Sequence, residues 1–81
     1  MARYAKETKL EVGEVLRRAE QFFGPGELGL KLVERNECCA SFEGSGGHVT
    51  VSAARCTPDR TEVDLETREW DYQVKRFMEG L

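Results

Sequence analysis

The chain has 81 residues, and its 12 Lys and Arg against 15 Asp and Glu give a net charge of −3. This length fits one domain over residues 1–81 and excludes a two-domain enzyme. Hydrophobic residues make up 40% of the chain and charged residues 33%, which is typical of a globular protein rather than a disordered one. A chain this short buries only about 60% of the surface that its unfolded form exposes, so we expect a partner subunit, as in a homodimer, to add burial.

The cysteines indicate a reducing compartment. Cys38, Cys39 and Cys56 are an odd number, and two of them are adjacent, whereas secreted disulfide frameworks normally use an even number of separated cysteines. We therefore expect reduced thiols in a cytoplasmic protein. No stretch approaches the ~18 apolar residues of a membrane span, and the first residues lack the apolar region of a signal peptide. Neither membrane insertion nor export is expected.

The chain begins with a predicted strand and a predicted helix. The alternation of side chains from Arg3 to Glu7 predicts a strand over residues 2–7. Apolar residues at helical spacing then predict a helix over about 9–23, and they are Val12, Val15, Leu16, Ala19, Phe22 and Phe23. Thr8 and Glu11 have the spacing of a capping box at its start. Gly24-Pro25-Gly26 predicts its end, because glycine accepts a left-handed cap and proline cannot continue a helix.

From Leu28 onward the apolar period changes to two, which predicts four strands with one buried face each. The residues expected inside are Leu28, Leu30 and Leu32, then Cys38, Ala40 and Phe42, then Val49, Val51 and Ala53, and finally Thr61, Val63 and Leu65. The predicted turns are Arg35-Asn36-Glu37, in which Asn36 tolerates positive φ, then Gly44-Ser45-Gly46-Gly47, and then Thr57-Pro58-Asp59. Tight turns between consecutive short strands predict an antiparallel meander.

A second helix is predicted over about 68–79, with Thr67 as its N-cap. Its apolar stripe consists of Trp70, Val74, Phe77, Met78 and Leu81. The resulting order is β-α-β-β-β-β-α, an α+β class in which both helices cover one face of a five-stranded antiparallel sheet. This element order resembles one repeat of the TATA-binding-protein-like fold and a truncated helix-grip fold of lipid-binding and START-type domains. The resemblance implies an architecture and assigns no functional residue.

The cysteines and the single histidine are the first candidates for chemistry. Three cysteines and one histidine are enough ligands for a Cys/His metal site. Structural zinc, however, usually takes cysteine pairs separated by two to four residues, and Cys38 and Cys39 are adjacent. Adjacent residues of a strand point to opposite faces, so Cys38 is expected in the core and Cys39 outside. Cys39 and His48 fall on the outer face of neighbouring strands, which is the arrangement that a Cys/His enzyme needs if the register brings them together. We expect no metal, no cofactor and no catalysis.

Two further patterns have structural interpretations. The Gly44–Gly47 segment joins two strands, whereas phosphate loops lead from a strand into a helix, so we interpret it as a hairpin turn. Glu62, Asp64 and Glu66 form an acidic row of the kind that lines an exposed sheet face. Lys31 and Arg35 on another strand of that face are expected to balance part of its charge.

Nucleic-acid binding is not expected. Phosphate binding needs clustered cations, yet the net charge is negative and the outer sheet face carries the acidic row. The local basic clusters are the doublets Arg17-Arg18 and Lys75-Arg76, which the helical period places on the outer sides of the two helices. Solvation explains them without a partner.

Contact residues are predicted on two elements. Tyr72 lies off the buried stripe of the second helix and is flanked by charge, which favours an interface role. The outer face of the sheet is rich in small residues that let another surface approach closely. The predicted interface consists of Tyr72, Cys39, Ser41, Thr50, Ser52, Glu62 and Asp64.

Three functions therefore compete. The leading hypothesis is a small non-catalytic cytoplasmic domain that acts through self-association or partner binding, as a homodimer that pairs sheet edges or covers the polar open faces. The alternative is a module that binds a small apolar molecule between helices and sheet or between two protomers. The third is an enzyme that uses Cys39 and His48.

Overall fold

A computed structural model describes residues 2–24, 29–44 and 46–81, with the exception of the Cys56 side chain. The elements are β1 (Ala2–Thr8), α1 (Val12–Phe23), β2 (Lys31–Arg35), β3 (Cys39–Gly44), β4 (Gly47–Thr57), β5 (Arg60–Arg68) and α2 (Asp71–Glu79). The strands form one antiparallel sheet in the order β1-β5-β4-β3-β2. The predicted element order and α+β class are confirmed. In the described part of the chain, no helix has the length and apolar character to cross a membrane.

Both helices lie on the same face of the sheet. α1 packs against β3 and β4, and α2 packs against β5. The alternation in β4 and β5 is as predicted, since every second side chain is buried beneath the helices. The fully or almost fully buried apolar residues are Val15, Leu16, Ala19, Phe23, Leu30, Ala40, Phe42, Val49, Val51, Ala53, Val63, Leu65, Val74 and Phe77.

Contacts among four phenylalanine rings join the two helices to each other and to the sheet. The Phe23 ring centroid lies 5.0 Å from that of Phe22, 5.7 Å from that of Phe42 on β3 and 5.2 Å from that of Phe77 on α2. The Phe22 and Phe77 rings are 5.7 Å apart. These separations are those of favourable edge or tilted aromatic contacts. Phe23 is completely buried and is the residue through which α1, α2 and β3 meet.

The start of α1 differs from the prediction. The helix begins at Val12, with Glu11 as an N-cap that makes no side-chain capping hydrogen bond. Thr8 is the last residue of β1, where its hydroxyl accepts from the Leu10 amide at 3.3 Å and donates to the Leu81 carbonyl at 3.2 Å. The capping box is wrong because the sheet holds Thr8. At the other end Gly24 is extended rather than left-handed, and Pro25 and Gly26 lie outside the described residues.

The start of α2 differs for the same reason. Thr67 is a buried residue of β5 whose hydroxyl donates to the His48 carbonyl at 2.9 Å, so it is not an N-cap. The chain leaves the sheet at Glu69, which has a φ of +77°, and Trp70 becomes the N-cap. The Trp70 indole N–H donates to the Gly44 carbonyl at 3.2 Å. The predicted helix start at residue 68 is therefore three residues too early.

The β2–β3 connection departs from simple alternation. Asn36 does not have positive φ; its side-chain Oδ1 accepts from the amides of Cys38 at 3.0 Å and Cys39 at 2.9 Å, which is the geometry of an Asx turn. Since β3 begins at Cys39, Cys38 lies outside the strand and is exposed, so its predicted core position is wrong. Leu30 is buried as predicted, Leu32 is 36% exposed on the edge strand, and Leu28 is outside the described residues.

Removing the Phe23 ring is expected to destabilise the fold strongly. Phe23→Ala should lower the free energy of unfolding by about 3–5 kcal/mol, because it removes a buried aromatic side chain and leaves a cavity. Urea unfolding followed by circular dichroism measures this loss. Tyr72→Ala is the control, since Tyr72 is 69% exposed, and it should change stability by less than about 0.5 kcal/mol. Equal losses in the two variants would contradict this description of the core.

Candidate binding surfaces

The face of the sheet opposite the helices is polar, and it carries six of the seven predicted interface residues. In the ladder, Cys39 lies opposite Ser52, and Ser52 lies opposite Asp64. Short hydroxyl and thiol groups contact each other across the strands: the Cys39 thiol donates to the Ser52 hydroxyl at 3.5 Å, and the Ser41 and Thr50 hydroxyls are 3.4 Å apart. The residues sharing this face are Cys39, Ser41, Thr50, Ser52, Glu62 and Asp64.

Tyr72 belongs to a different surface. It lies on α2, on the helix side of the sheet, and 69% of it is exposed. The structure therefore does not bring Tyr72 together with the residues of the open face. Sequence periodicity predicted its exposure correctly, and the predicted placement of both helices on one face already separated it from the other six.

The charges of the open face are partly compensated. Glu66 lies opposite Arg3 in the ladder and 3.8 Å from the His48 ring nitrogen. Lys31 lies on this face as expected, but it is opposite Glu43 on β3, and two strands separate it from the acidic row on β5. Among the residues that the structure describes, no group of three His, Cys, Asp or Glu side chains is placed to hold a metal ion.

A bulge in β2 moves one predicted cation to the other face. Val33 is the extra residue between Leu32, opposite Phe42, and Glu34, opposite Ser41. This insertion reverses the alternation after it, so Arg35 lies on the helix side, where its guanidinium is 3.1 Å from a Glu20 carboxylate oxygen. The expectation that Arg35 faces the acidic row is wrong for this reason.

Cys39 and His48 share the open face but lie far apart. Cys39 is paired with Ser52, whereas His48 is paired with Glu43. His48 and Ser52 are four residues apart on one strand, which is about 13 Å at ~3.3 Å per residue. A proton cannot pass directly between two side chains at this separation. The geometry does not support a Cys39/His48 catalytic pair.

Cys38 and Cys39, in contrast, are together. Their sulfurs are 3.6 Å apart and share a hydrogen bond, and Cys38 Sγ also donates to Asn36 Oδ1 at 3.5 Å. This hydrogen bond with Cys39 raises the pKa of the Cys38 thiol, and a charge on one sulfur disfavours a charge on the other. The sequence pattern did not reveal this pair because it placed both cysteines in one strand, where adjacent side chains point to opposite faces. Only Cys39 belongs to the strand.

β2 is one of the two edge strands of the sheet and, unlike β1 at the other edge, is exposed along its whole length. Its Leu32 and Val33 are 36% and 46% exposed. Tyr72 is the other large hydrophobic residue that is exposed in the described part of the chain. An exposed edge strand offers unpaired backbone N–H and C=O groups to another strand.

A groove with a volume of about 610 Å³ runs between α1 and α2. It is lined by Arg18, Gln21, Phe22, Arg76, Phe77, Gly80 and Leu81. Arg18 donates to Glu14 at 3.0 Å and to the Gly80 carbonyl at 3.2 Å, which holds it across the groove. The sequence placed the two arginines on outer helix surfaces, but their convergence on one groove depends on how the helices pack.

No protein-family model matches this chain, and no curated protein matches it either. The assignment of a role therefore depends on the surfaces described above.

The separation of Cys39 from His48 has a measurable consequence. In a Cys38→Ser background, we expect His48→Ala to leave the rate of Cys39 alkylation by iodoacetamide unchanged, because the imidazole is too distant to stabilise the thiolate. Ser52→Ala is the matched control on the same strand and should slow the reaction, because the Ser52 hydroxyl, 3.5 Å from the Cys39 sulfur, can turn to donate a hydrogen bond to the attacking thiolate. Peptide mass spectrometry gives the rates. Slowing by His48→Ala as large as that by Ser52→Ala would contradict the register.

Proposed function

We propose that this protein acts by association, as a cytoplasmic homodimer in which the β2 strands of two protomers pair at the sheet edge. The observation that carries the proposal is the exposure of this edge strand together with its two large aliphatic side chains, Leu32 and Val33. Edge pairing satisfies the free backbone groups of β2 and covers both side chains. The small size of the domain supports it, because a second copy adds burial that the chain lacks on its own.

The charges on β2 favour one antiparallel register. A two-fold axis between Leu32 and Val33 places Leu32 opposite the partner's Val33 and Lys31 opposite the partner's Glu34. The bulge makes this possible, since it leaves Lys31 and Glu34 on the same open face of the sheet. By symmetry, each contact occurs twice. A register centred on Val33 instead places Lys31, on the open face, opposite the partner's Arg35, on the helix side, so opposite side chains would not share a face as antiparallel pairing requires.

Charge reversal on β2 tests this dimer. Glu34→Lys brings two lysines face to face across the axis, and Lys31→Glu does the same with two glutamates. Each variant should weaken association on the order of tenfold, because two attractive pairs become repulsive. An equimolar mixture of the two variants should recover the dimer as a heterodimer. Sedimentation velocity over a concentration series measures the masses.

Tyr72→Lys is the control, because it introduces the same side chain at an exposed large residue outside β2. It should leave association unchanged. Lys31 also lies opposite Glu43 in its own chain, so the thermal unfolding of the Lys31→Glu variant is recorded beside its mass. A monomeric wild type at all concentrations, or equal effects of Glu34→Lys and Tyr72→Lys, would refute the proposal.

The groove between α1 and α2 favours a second function of a different class, the binding of a small anionic amphiphile. Phe22, Phe77 and Leu81 provide an apolar floor, and none of the lining side chains is acidic. Arg76 supplies positive charge, as does Arg18, whose charge the ion pair with Glu14 partly balances. Its volume of about 610 Å³ is in the range of small-molecule sites. The space between helices and sheet, one of the two places in which the alternative hypothesis puts an apolar ligand, is filled by core side chains such as Phe23 and Phe42.

The charge of the groove selects the head group of this ligand. Arg76 is exposed and makes no ion pair with the described residues, so its guanidinium is available to an anion. A carboxylate can accept two parallel hydrogen bonds from it while an acyl chain lies on the phenylalanine rings. A second copy of the groove is a poor occupant, because it brings the same two cations. The ligand class is therefore a fatty-acid carboxylate.

Titration with dodecanoate below its micelle concentration tests this ligand. Calorimetry should give one site per chain, and Arg76→Glu should weaken binding about tenfold or more because it removes a charge-assisted hydrogen bond. Lys75→Glu is the control with the same change in net charge; Lys75 lies over the Tyr4 ring, outside the groove. Dodecyltrimethylammonium should not bind. Equal losses in the two variants, or equal binding of the cationic amphiphile, would refute the assignment.

A further inference from the structure

The adjacent thiols at the start of β3 form a preorganised pair. Cys38 lies in the bend before the strand and Cys39 is the first strand residue, and this change in backbone direction turns both sulfurs to one side, 3.6 Å apart. Asn36 Oδ1 fixes the bend by accepting from both cysteine amides. Cys38 is exposed and Cys39 is partly exposed, so a solute can reach the pair.

The sulfur separation is that of two thiolates sharing one metal ion. With a metal–sulfur bond of about 2.3 Å, two sulfurs 3.6 Å apart subtend an angle of roughly 100° at the metal. A disulfide is much shorter, at about 2.05 Å, whereas the hydrogen bond that the two thiols share holds their sulfurs at a chelating distance. The pair needs little rearrangement to act as a bidentate ligand.

The number and chemical type of the protein ligands, two cysteine thiolates, indicate which metal ion this pair can bind. Thiolates favour the soft metals, of which copper(I), zinc and iron–sulfur clusters are the common cases. Structural zinc and iron–sulfur clusters require four protein ligands. In the described part of the chain, no third Cys, His, Asp or Glu joins the pair as a metal-binding group. Two protein sulfurs at this angle suit copper(I) with a third ligand supplied from solution.

We propose that Cys38 and Cys39 form a chelating site for one copper(I) ion. Binding breaks two S–H bonds, forms two Cu–S bonds and releases two protons to solvent, with no change in the oxidation state of copper or sulfur. Asn36 Oδ1 loses the hydrogen bond from Cys38 Sγ and keeps those from the two amides. The angle of roughly 100° leaves a position at which a thiol from solution can bind and exchange the ion.

Competition for copper(I) under anaerobic conditions tests this site. The reduced protein is titrated against the copper(I) chelator bathocuproine disulfonate, whose colour reports the copper that the protein does not hold. Wild type should retain one copper per chain and show thiolate-to-copper absorption in the ultraviolet. Cys38→Ser and Cys39→Ser should each weaken binding about a hundredfold or more, because the advantage of two linked ligands is lost.

Cys56→Ser is the matched control, since it removes the third thiol of the chain and leaves the adjacent pair. It should bind copper as the wild type does. Circular dichroism checks that all three serine variants are folded. A single-serine variant of the pair that binds as tightly as wild type, or a loss in Cys56→Ser as large as that in Cys38→Ser, would overturn the assignment.

Discussion

The contact of Phe23 with Phe42 and Phe77 is the constraint on which the rest of the structure depends. It ties α1 to β3 and α2 in the centre of the core, with ring separations of 5.7 and 5.2 Å. Because both helices converge on this residue, they lie side by side on one face of the sheet. The same convergence brings Phe22 against Phe77 and creates the groove between the helices.

Placing both helices over the middle of the sheet determines what they leave uncovered. α1 covers β3 and β4 and α2 covers β5, so β2 is the strand with every residue exposed. The open face has to be polar, and contacts such as that between Ser41 and Thr50 supply its hydrogen bonds. The surfaces for which we propose roles, the β2 edge, the thiol pair and the helix groove, all lie outside this packed centre.

The alternation of apolar residues predicted the strands and their buried faces because a period of two is a local property, and Val51 and Leu65 are buried as it required.

Element ends were less predictable. Thr8 and Thr67 carry helix-capping signals, but hydrogen bonds to Leu81 and His48 hold them in the sheet, and those partners are distant in sequence. The bulge at Val33 and the convergence of Arg18 and Arg76 have no local signal either, since both depend on tertiary packing. The residues that share the open face were predictable from the apolar alternation, whereas the groove, the position of β2 at the sheet edge and the thiol pair were not.

Hydrogen exchange of the β2 amides as a function of protein concentration tests most directly whether this edge is the association surface. β4 is paired on both sides within one chain and serves as the internal reference. The account predicts that protection over Lys31–Arg35 increases with concentration by more than protection in β4 does, because the interface covers β2 directly. Exchange in β2 that is independent of concentration, or an increase confined to α2, would contradict it.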